Sequence, residues 1–423
     1  MVAKLKSFPC PSCGAEIAVR AHGISVTFIC DSCGGTLDAN KDGYSGLRVA
    51  VAKAAQIKSL LIPLGARGRF DGIEWEAIGF MRRKDVKWLF SWDEYLLFNP
   101  YHGFRFLMHS DGHFALASLV PAYAKASNNI AELNGDSFAL FHQGTSAVVS
   151  VVGEFYWRVK VGDRADFADF IAPPQCLSRE MPEGSVRSSE KTWSVARYVP
   201  KDEIRIAFNI KELPAETGSC PFQPNPYRPI RNSSWGWAIL CFVVLLLAQI
   251  YFVSASPSQQ VFASERSFTI AEKNVEITLG ELVLNQPSQN IEIRSRSPVN
   301  NSWLEVSYEI ESMQGNESAW TSQAIEYYHG YDSDGAWTEG GQSASTIVYP
   351  LGSNRYKVIA SVDAESFSKN SSSNLSTQIV AGVPIWSNFF LAIFLIFLCP
   401  ILLSAVSVRF EQRRWQDSDY SPL

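Results

Sequence analysis

Charge is missing from two long stretches of this 423-residue sequence: no Asp, Glu, Lys or Arg occurs between Trp235 and Val253 or between Pro384 and Val408. A hydrocarbon core of about 30 Å needs about 20 apolar residues in a helix, and runs of 19 and 25 residues meet that requirement. A core helix of a soluble domain keeps a polar stripe toward water, and neither run has one. In WGWAILCFVVLLLAQIYFV only Gln249 is strongly polar, and Trp235, Trp237 and Tyr251 stand near the ends, as interfacial aromatic belts do. The second run opens with Pro384 and Trp386 and encloses Pro400, which predicts a kink near Leu398. A signal peptide is excluded for both by position, and MVAKLKSFPCPSCG lacks an apolar h-region.

Cysteine is absent from residues 254–383, although the chain has eight. Four cluster near the start, Cys241 and Cys399 fall in the uncharged runs, and Cys176 and Cys220 stand alone. This distribution argues against a disulfide framework and for reduced thiols. Catalytic signatures are also missing: there is no HExxH, no phosphate-binding glycine loop ending in Lys-Ser or Lys-Thr, no GxSxG elbow and no Rossmann fingerprint.

The basic residues near the runs assign sides to them. Arg228 and Arg231 precede the first, Arg409, Arg413 and Arg414 follow the second, and the intervening loop offers only Arg266 and Lys369 nearby. By the positive-inside rule both termini are expected in the cytoplasm. Residues 254–383 then lie outside. They hold 15 Asp and Glu against 7 Lys and Arg, a formal charge of −8, which leaves +3 on the rest of a chain totalling −5.

Cys10, Cys13, Cys30 and Cys33 read as CPSCG, sixteen residues, then CDSCG. Two such pairs can close a tetrahedron of thiolates on zinc, the pattern of a zinc ribbon. Gly14 and Gly34 follow the second cysteine of each pair, where a tight turn can aim N–H groups at the sulfurs. The intervening AEIAVRAHGISVTFI alternates on both sides of His22-Gly23, which predicts two short strands as a hairpin between the knuckles. A closed four-thiolate site leaves no position for a substrate, so the expected Zn2+ is structural. Residues 1–58 carry seven basic and four acidic side chains, too mild an excess for a phosphate-binding surface. Protein contact or structural capping is favoured over nucleic acid.

SGLRVAVAKAAQIKSLL predicts a helix ended by Pro63. From there to about residue 212 short runs such as IEWEAIGFM, KWLFSWDEYLLF and FRFLMH, broken by glycine turns and dense in aromatics, read as antiparallel β structure. LGARGRFDGIEWEAIGF, SWDEYLLFNPYHGFRFLMHSDGHFAL, GEFYWRVKVGDRADFADFIAPPQCLSRE and WSVARYV resemble the bacterial family known as domain of unknown function 4178, over roughly residues 60–210. The resemblance implies joining to an amino-terminal zinc ribbon and membrane helices, and a place among membrane-associated protein partners at a bacterial inner membrane. It implies no reaction.

Candidate chemistry within this body is sparse. His109, Asp111 and His113 in MHSDGHF, with Trp92-Asp93-Glu94 upstream, can hold a metal if helical, but Asp111-Gly112 signals a two-residue hairpin turn across which the histidines would face each other. Glu154, beside Trp157 and Arg158, reads as a buried carboxylate paired with arginine. Cys176 follows two prolines and reads as a plain buried cysteine over a nucleophile. No catalytic residue is assigned.

Five prolines between Leu213 and Arg231 predict a semi-extended tether. In the outer segment NVEITLGELVL, NIEIRSR, SWLEVSYEIES, STIVYP and RYKVIASVDA alternate strictly, as strands of an antiparallel β-sandwich do. Asp332, Asp334 and Glu339 in YDSDGAWTEGG can be read as calcium ligands without the EF-hand spacing, and Tyr327, Tyr328, Tyr331 and Trp337 as a ligand or glycan surface. The expected fold class is multidomain, mainly β. Its expected parts are a zinc ribbon (1–40), connecting helix (41–62), cytoplasmic β-rich domain (63–212), proline-rich linker (213–233), first transmembrane helix (234–254), extracytoplasmic β-sandwich (255–383), second transmembrane helix (384–408) and cytoplasmic tail (409–423). The function expected is a non-enzymatic membrane scaffold or sensor. Its rivals are an unrecognised enzyme centred on His109, Asp111, His113 or Glu154, and a nucleic-acid tether acting through the ribbon.

Overall fold

The computed structural model describes every residue except 1–5, 41–42, 51–59, 121–123, 128, 184–190, 256, 270–274, 316–317, 365–371 and 422–423. The chain is mainly β and divides into two units, residues 1–232 with 402–423, and residues 233–401.

The first unit begins with β1 (Lys6–Pro9) and β2 (Glu16–Val19), which pair with each other, followed by β3 (Thr27–Ile29), β4 (Thr36–Asn40) and β5 (Gly43–Ala50), an antiparallel run. The two strands flanking His22-Gly23 therefore form, but they do not make the expected hairpin: β2 takes β1 as partner and β3 takes β4. The connecting helix expected over 41–62 is also corrected. Residues 43–50 are strand β5, since the free edge of β4 offers GYSGLRVA a ladder that outweighs local helix preference. Residues 51–59 lie outside the described part.

Next come β6 (Arg67–Phe70), β7 (Ile73–Asp85), β8 (Ser91–Asn99), β9 (Gly103–Ser110), β10 (His113–Leu119), the short pair β11 (Lys125–Ser127) and β12 (Ile130–Leu133), then β13 (Asp136–Phe155), β14 (Arg164–Ala172), β15 (Gln175–Pro182) and β16 (Thr192–Val199). Neighbours run β13-β14-β15-β16-β10-β9-β8-β7, and β7 returns to β13, so eight antiparallel strands close into a barrel. Closure leaves these strands no free edge. The long β13 pairs with β14 near its start, with β7 from Val148 to Gly153, and with β3 from Gly153 to Phe155. Where β7 and β13 cross, a Cβ on Gly79 would lie 2.5 Å from the Glu154 carbonyl and one on Gly153 2.4 Å from that of Ile78. Only glycine permits that approach.

Trp75, Phe80, Tyr95, Leu97, Leu107 and Phe114 pack with Ile204 of α1 (Lys201–Phe208) on one side of the wall. Ile78, Met81, Leu96, Val151 and Phe155 form another cluster. Each such side chain contributes about 1.5–3 kcal/mol on burial, which explains how an aromatic-rich, strand-dense sequence holds a barrel this small.

The proline-rich linker is held rather than free. Thr217 N–H donates to the Asp111 carbonyl at 2.9 Å, a Cβ on Gly112 would strike the Ala215 carbonyl at 2.3 Å, and Phe222 packs on Ala115, Ala117, Cys176 and their neighbours. Helix α2 (Arg228–Ala255) follows, and near the end of the chain lies α3 (Trp386–Trp415). Both are long and apolar enough to cross a membrane. Each extends beyond its uncharged run, and α3 continues through Pro400 and the polar sequence Arg409–Trp415.

The second unit holds β17 (Gln259–Thr269), β18 (Val275–Leu284), β19 (Gln289–Arg296), β20 (Ser302–Ser312), β21 (Ser318–Asp332), β22 (Gly335–Gly341), β23 (Ser343–Leu351), β24 (Asn354–Ala364) and β25 (Ser372–Ala381). They make two antiparallel sheets, β17-β25-β19-β23 and β18-β24-β20-β21-β22. Leu282, Ile291, Ile293, Val306, Tyr356, Val358 and Ile379 from both sheets share one core. Tyr308 lies fully buried there, its hydroxyl bonded to Ser295 at 2.7 Å and Thr377 at 2.8 Å, so its polar end is satisfied inside the core.

Candidate metal centre

The two cysteine pairs fold into matching knuckles. Cys10 N–H donates to the Ala15 carbonyl and Gly14 N–H to the Cys10 carbonyl; Cys30 N–H donates to Gly35 and Gly34 N–H to Cys30 in the same way. Gly14 (φ 77°) and Gly34 (φ 71°) supply the left-handed residue each knuckle needs. Their N–H groups point to carbonyls, and the sulfurs are served by neighbours: Ser12 and Cys13 for Cys10, Ser32 and Cys33 for Cys30, and Gly35 for Cys33.

The four sulfurs lie within 4.8 Å of one another, with Cys10 Sγ 3.7 Å from Cys33 Sγ and Cys13 Sγ 3.8 Å from Cys30 Sγ. A tetrahedron with metal–sulfur bonds of about 2.3 Å has edges of about 3.8 Å. The quartet therefore fits one four-coordinate metal ion, and it is the one such cluster among the described residues. Burial raises the Cys10 thiol, but the surrounding N–H groups and thiols outweigh it and bring Cys10 down to about 7. Burial pushes Cys30 up to about 12.

Behind the knuckles stands Glu154, 1% exposed. Its carboxylate accepts from Arg20 N–H at 2.6 Å, Ala21 N–H at 3.0 Å and Ser25 Oγ at 2.9 Å. Arg20 Nη1 lies 3.8 Å away, and burial raises the pKa of the acid. Glu154 is thus the buried carboxylate that its sequence context predicts, with a different arginine: Arg158 instead sits near Asp38 at the surface, 3.8 Å away. A side chain on β13 ties the β2–β3 connection, which leads through β3 to the second knuckle, to the barrel.

The other candidates do not assemble. Asp111 (φ 51°) and Gly112 (φ 81°) form the expected turn, but the register pairs His109 with Phe114 and His113 with Ser110, so the two histidines occupy opposite faces. His109 Nδ1 lies 3.5 Å from Asp93, which Arg82 grips with two bonds of 2.6 and 3.0 Å. His113 Nδ1 meets Tyr198 Oη at 3.0 Å. Cys176 is buried and its thiol is pushed far up by burial, the opposite of an activated nucleophile. In the second unit Asp332 accepts from Asp334 N–H at 2.9 Å at the β21–β22 turn, while Glu339 pairs with Tyr328 farther along the hairpin. The three carboxylates do not converge. Tyr331 is 84% and Trp337 42% exposed, and Trp337 lies over Gly330.

One polar cluster escaped the sequence reading. Arg83, 7% exposed, bonds Glu94 at 3.3 Å, Glu180 at 2.5 Å and Ser146 Oγ at 2.5 Å, and its guanidinium lies 5.6 Å from the Trp92 ring. Burial raises Glu94, and it pushes nearby Asp169 to about 6 with Glu180 adding to the rise. Charges in the middle of otherwise apolar strands were the available signal, since buried ions require partners.

The family described as Domain of unknown function (DUF4178) matches residues 63–201, the span from just before β6 through β16. No curated protein matches the chain. Among solved structures, infectious bursal disease virus Gt strain matches at 8% identity and a TM-score of 0.20, covering 85% of this chain and 65% of that one. PNGF-II in its C2 crystal form matches at 9% and 0.20, covering 72% and 67%. The Bacillus thuringiensis insecticidal crystal protein Cry7Ca1 matches at 7% and 0.16, covering 78% and 55%. The chain spans about two thirds of the viral protein's length or less, and similarity at these scores bears on neither fold nor function.

Proposed function

We propose that this chain is a non-enzymatic membrane protein of the bacterial inner membrane, a scaffold or sensor that joins a cytoplasmic zinc-ribbon and barrel unit to an extracytoplasmic β-sandwich through α2 and α3. The apolarity of both helices supports the spanning, and the flanking arginines support the orientation. Zinc is the metal that an all-thiolate, closed tetrahedral site favours. Its role is structural: Cys10, Cys13, Cys30 and Cys33 would hold it, fixing the knuckles against β13.

The observation that carries the reading is the far end of α3. Arg414, 2% exposed, donates to the Pro221 carbonyl at 2.6 Å and to Glu411 at 2.8 Å. Trp415 packs on Phe141, Ser418 Oγ donates to the Phe141 carbonyl, and Gln143 Nε2 donates to Tyr420 Oη at 2.6 Å. Asn225 of the linker bonds Ser407 and Glu411. Helix α3 is thus tied to the linker through Arg414 and to β13 through Trp415, and the tail just beyond it bonds the same strand, so a turn or slide of the helix would be passed to the barrel, which is what a sensor or scaffold crossing a bilayer requires.

Affinity purification of the full chain from native membranes after crosslinking tests the proposal. Recovery of the same membrane-associated partners in repeated preparations is expected. A protein that emerges alone and turns over a small molecule would overturn it.

A further inference from the structure

The turn between β7 and β8 is built to present apolar side chains. Val86, Trp88, Leu89 and Phe90 are 37%, 51%, 70% and 44% exposed, consecutive but for Lys87. Isolated surface apolar residues are ordinary, but four at one turn are not. Leu89 stands at φ 63°, a left-handed conformation that a bulky side chain adopts only when its surroundings enforce it.

Those surroundings are specific. Asp85, fully buried, turns its carboxylate inward and accepts from Lys87 N–H at 2.7 Å and Trp88 N–H at 2.6 Å. Asp85 N–H donates to the Phe90 carbonyl at 2.9 Å, and His142 Nε2 lies 3.4 Å from Asp85 Oδ2. A Cβ on Gly144 would lie 2.4 Å from that carboxylate, so glycine there makes room for the brace. The one acid of the turn is thereby hidden, and exposed Lys84 and Lys87 leave the tip basic as well as apolar. Lys87 Nζ sits 4.4 Å over the Trp88 ring.

Aromatic and aliphatic side chains beside lysine suit one surface above others, the headgroup region of an anionic membrane, where rings bury their faces and ammonium groups meet phosphates. The barrel also keeps this tip next to the end of a spanning helix. On β13, Phe141 packs on Trp415 of α3, and the next residue, His142, packs on Phe90 of the tip. We infer that the β7–β8 turn is a second membrane contact, a braced tip that seats in the anionic headgroup layer of the bilayer that α2 and α3 cross. The inference rests on the membrane reading above. It implies that the barrel is docked on the bilayer at one end, with the β8–β9 turn, at the other end of β8 and roughly 30 Å away, facing the cytoplasm.

The test uses the full chain in vesicles of phosphatidylethanolamine with phosphatidylglycerol, and in vesicles of phosphatidylcholine alone. A photoreactive group is installed as Trp88→p-benzoylphenylalanine, with Leu247→p-benzoylphenylalanine in α2 and Tyr101→p-benzoylphenylalanine in the β8–β9 turn as references, Tyr101 being 91% exposed. Lipid adducts are expected at Leu247 in both vesicles, at Trp88 in the anionic vesicles, and not at Tyr101. Lys84→Ala and Lys87→Ala should each lower the Trp88 adduct about fivefold, the loss of one cation near an anionic surface. Adducts at Leu247 without any at Trp88 overturn the tip and leave the spans standing. Absence at both Leu247 and Trp88 overturns the membrane reading together with the tip. Equal yields at Tyr101 and Trp88 overturn the docking.

Discussion

Glu154→Ala is the most informative single substitution, because Glu154 is where the metal knuckles meet the barrel. It leaves Arg20 N–H, Ala21 N–H and Ser25 Oγ without their acceptor in a buried place. Each unsatisfied buried donor costs about 1–3 kcal/mol, so the gross loss for three donors is about 3–9 kcal/mol. Burial of the carboxylate itself, which raises its pKa, offsets part of this, and a net loss of about 3–4 kcal/mol is expected. Glu154→Gln keeps one accepting oxygen and should lose roughly half as much. Removal of the tie also frees the turn before the second knuckle, so metal release should accelerate by about 10–100-fold, as loss of a supporting contact around a metal site does. Thermal unfolding of the full chain in detergent, with metal release followed by a chromogenic chelator, reads both effects. An unchanged melting temperature together with unchanged release would refute the reasoning that the ribbon and barrel are one structure.

Three other expectations are independent of that one. Cys10→Ser should abolish metal binding and weaken the pairing of β3 with Gly153–Phe155, seen as faster amide exchange there; exchange changes confined to residues before 40 would contradict the shared sheet. Arg414→Ala removes a buried guanidinium and two anchoring bonds, costs about 2–4 kcal/mol of local stability, and should expose the Ser418 region to protease; an equally resistant tail would refute the docking. Asp169 has a pKa raised by burial to about 6 from 3.8, so the unfolded chain releases its proton first. Stability is then lost as pH rises from about 4 to about 6, by up to about 3 kcal/mol. Asp169→Asn should remove this penalty and raise the melting temperature at pH 8, where the acid is ionised in both states; no gain would mean that burial does not disfavour its charged form.

The strands were legible where neighbours in sequence pair with each other. Asp111-Gly112 marks a turn because both residues accept positive φ, and alternation in NIEIRSR and SWLEVSYEIES matches the burial of Ile291, Ile293, Leu304, Val306 and Tyr308. What stayed hidden depends on distant partners. Nothing local tells that Glu154 meets Arg20, 134 residues earlier, that β13 serves four strands in turn, or that Arg414 is buried against Pro221. The expected helix after Gly43 failed for the same reason, since the edge of β4 decides the conformation of 43–50. His109 and His113 were misplaced by one register step, which in a strand exchanges the two faces.

The proposed topology is tested most directly by the side of the membrane from which each unit can be reached. Tyr349 of the second unit and Tyr101 of the barrel are 89% and 91% exposed, and residues 254–383 contain no native cysteine to confuse labelling there. Intact cells producing Tyr349→Cys or Tyr101→Cys are treated with a membrane-impermeant maleimide. Labelling is expected at position 349 in intact cells and at position 101 only after the membrane is opened. Labelling of both positions from the same side would contradict the proposed topology.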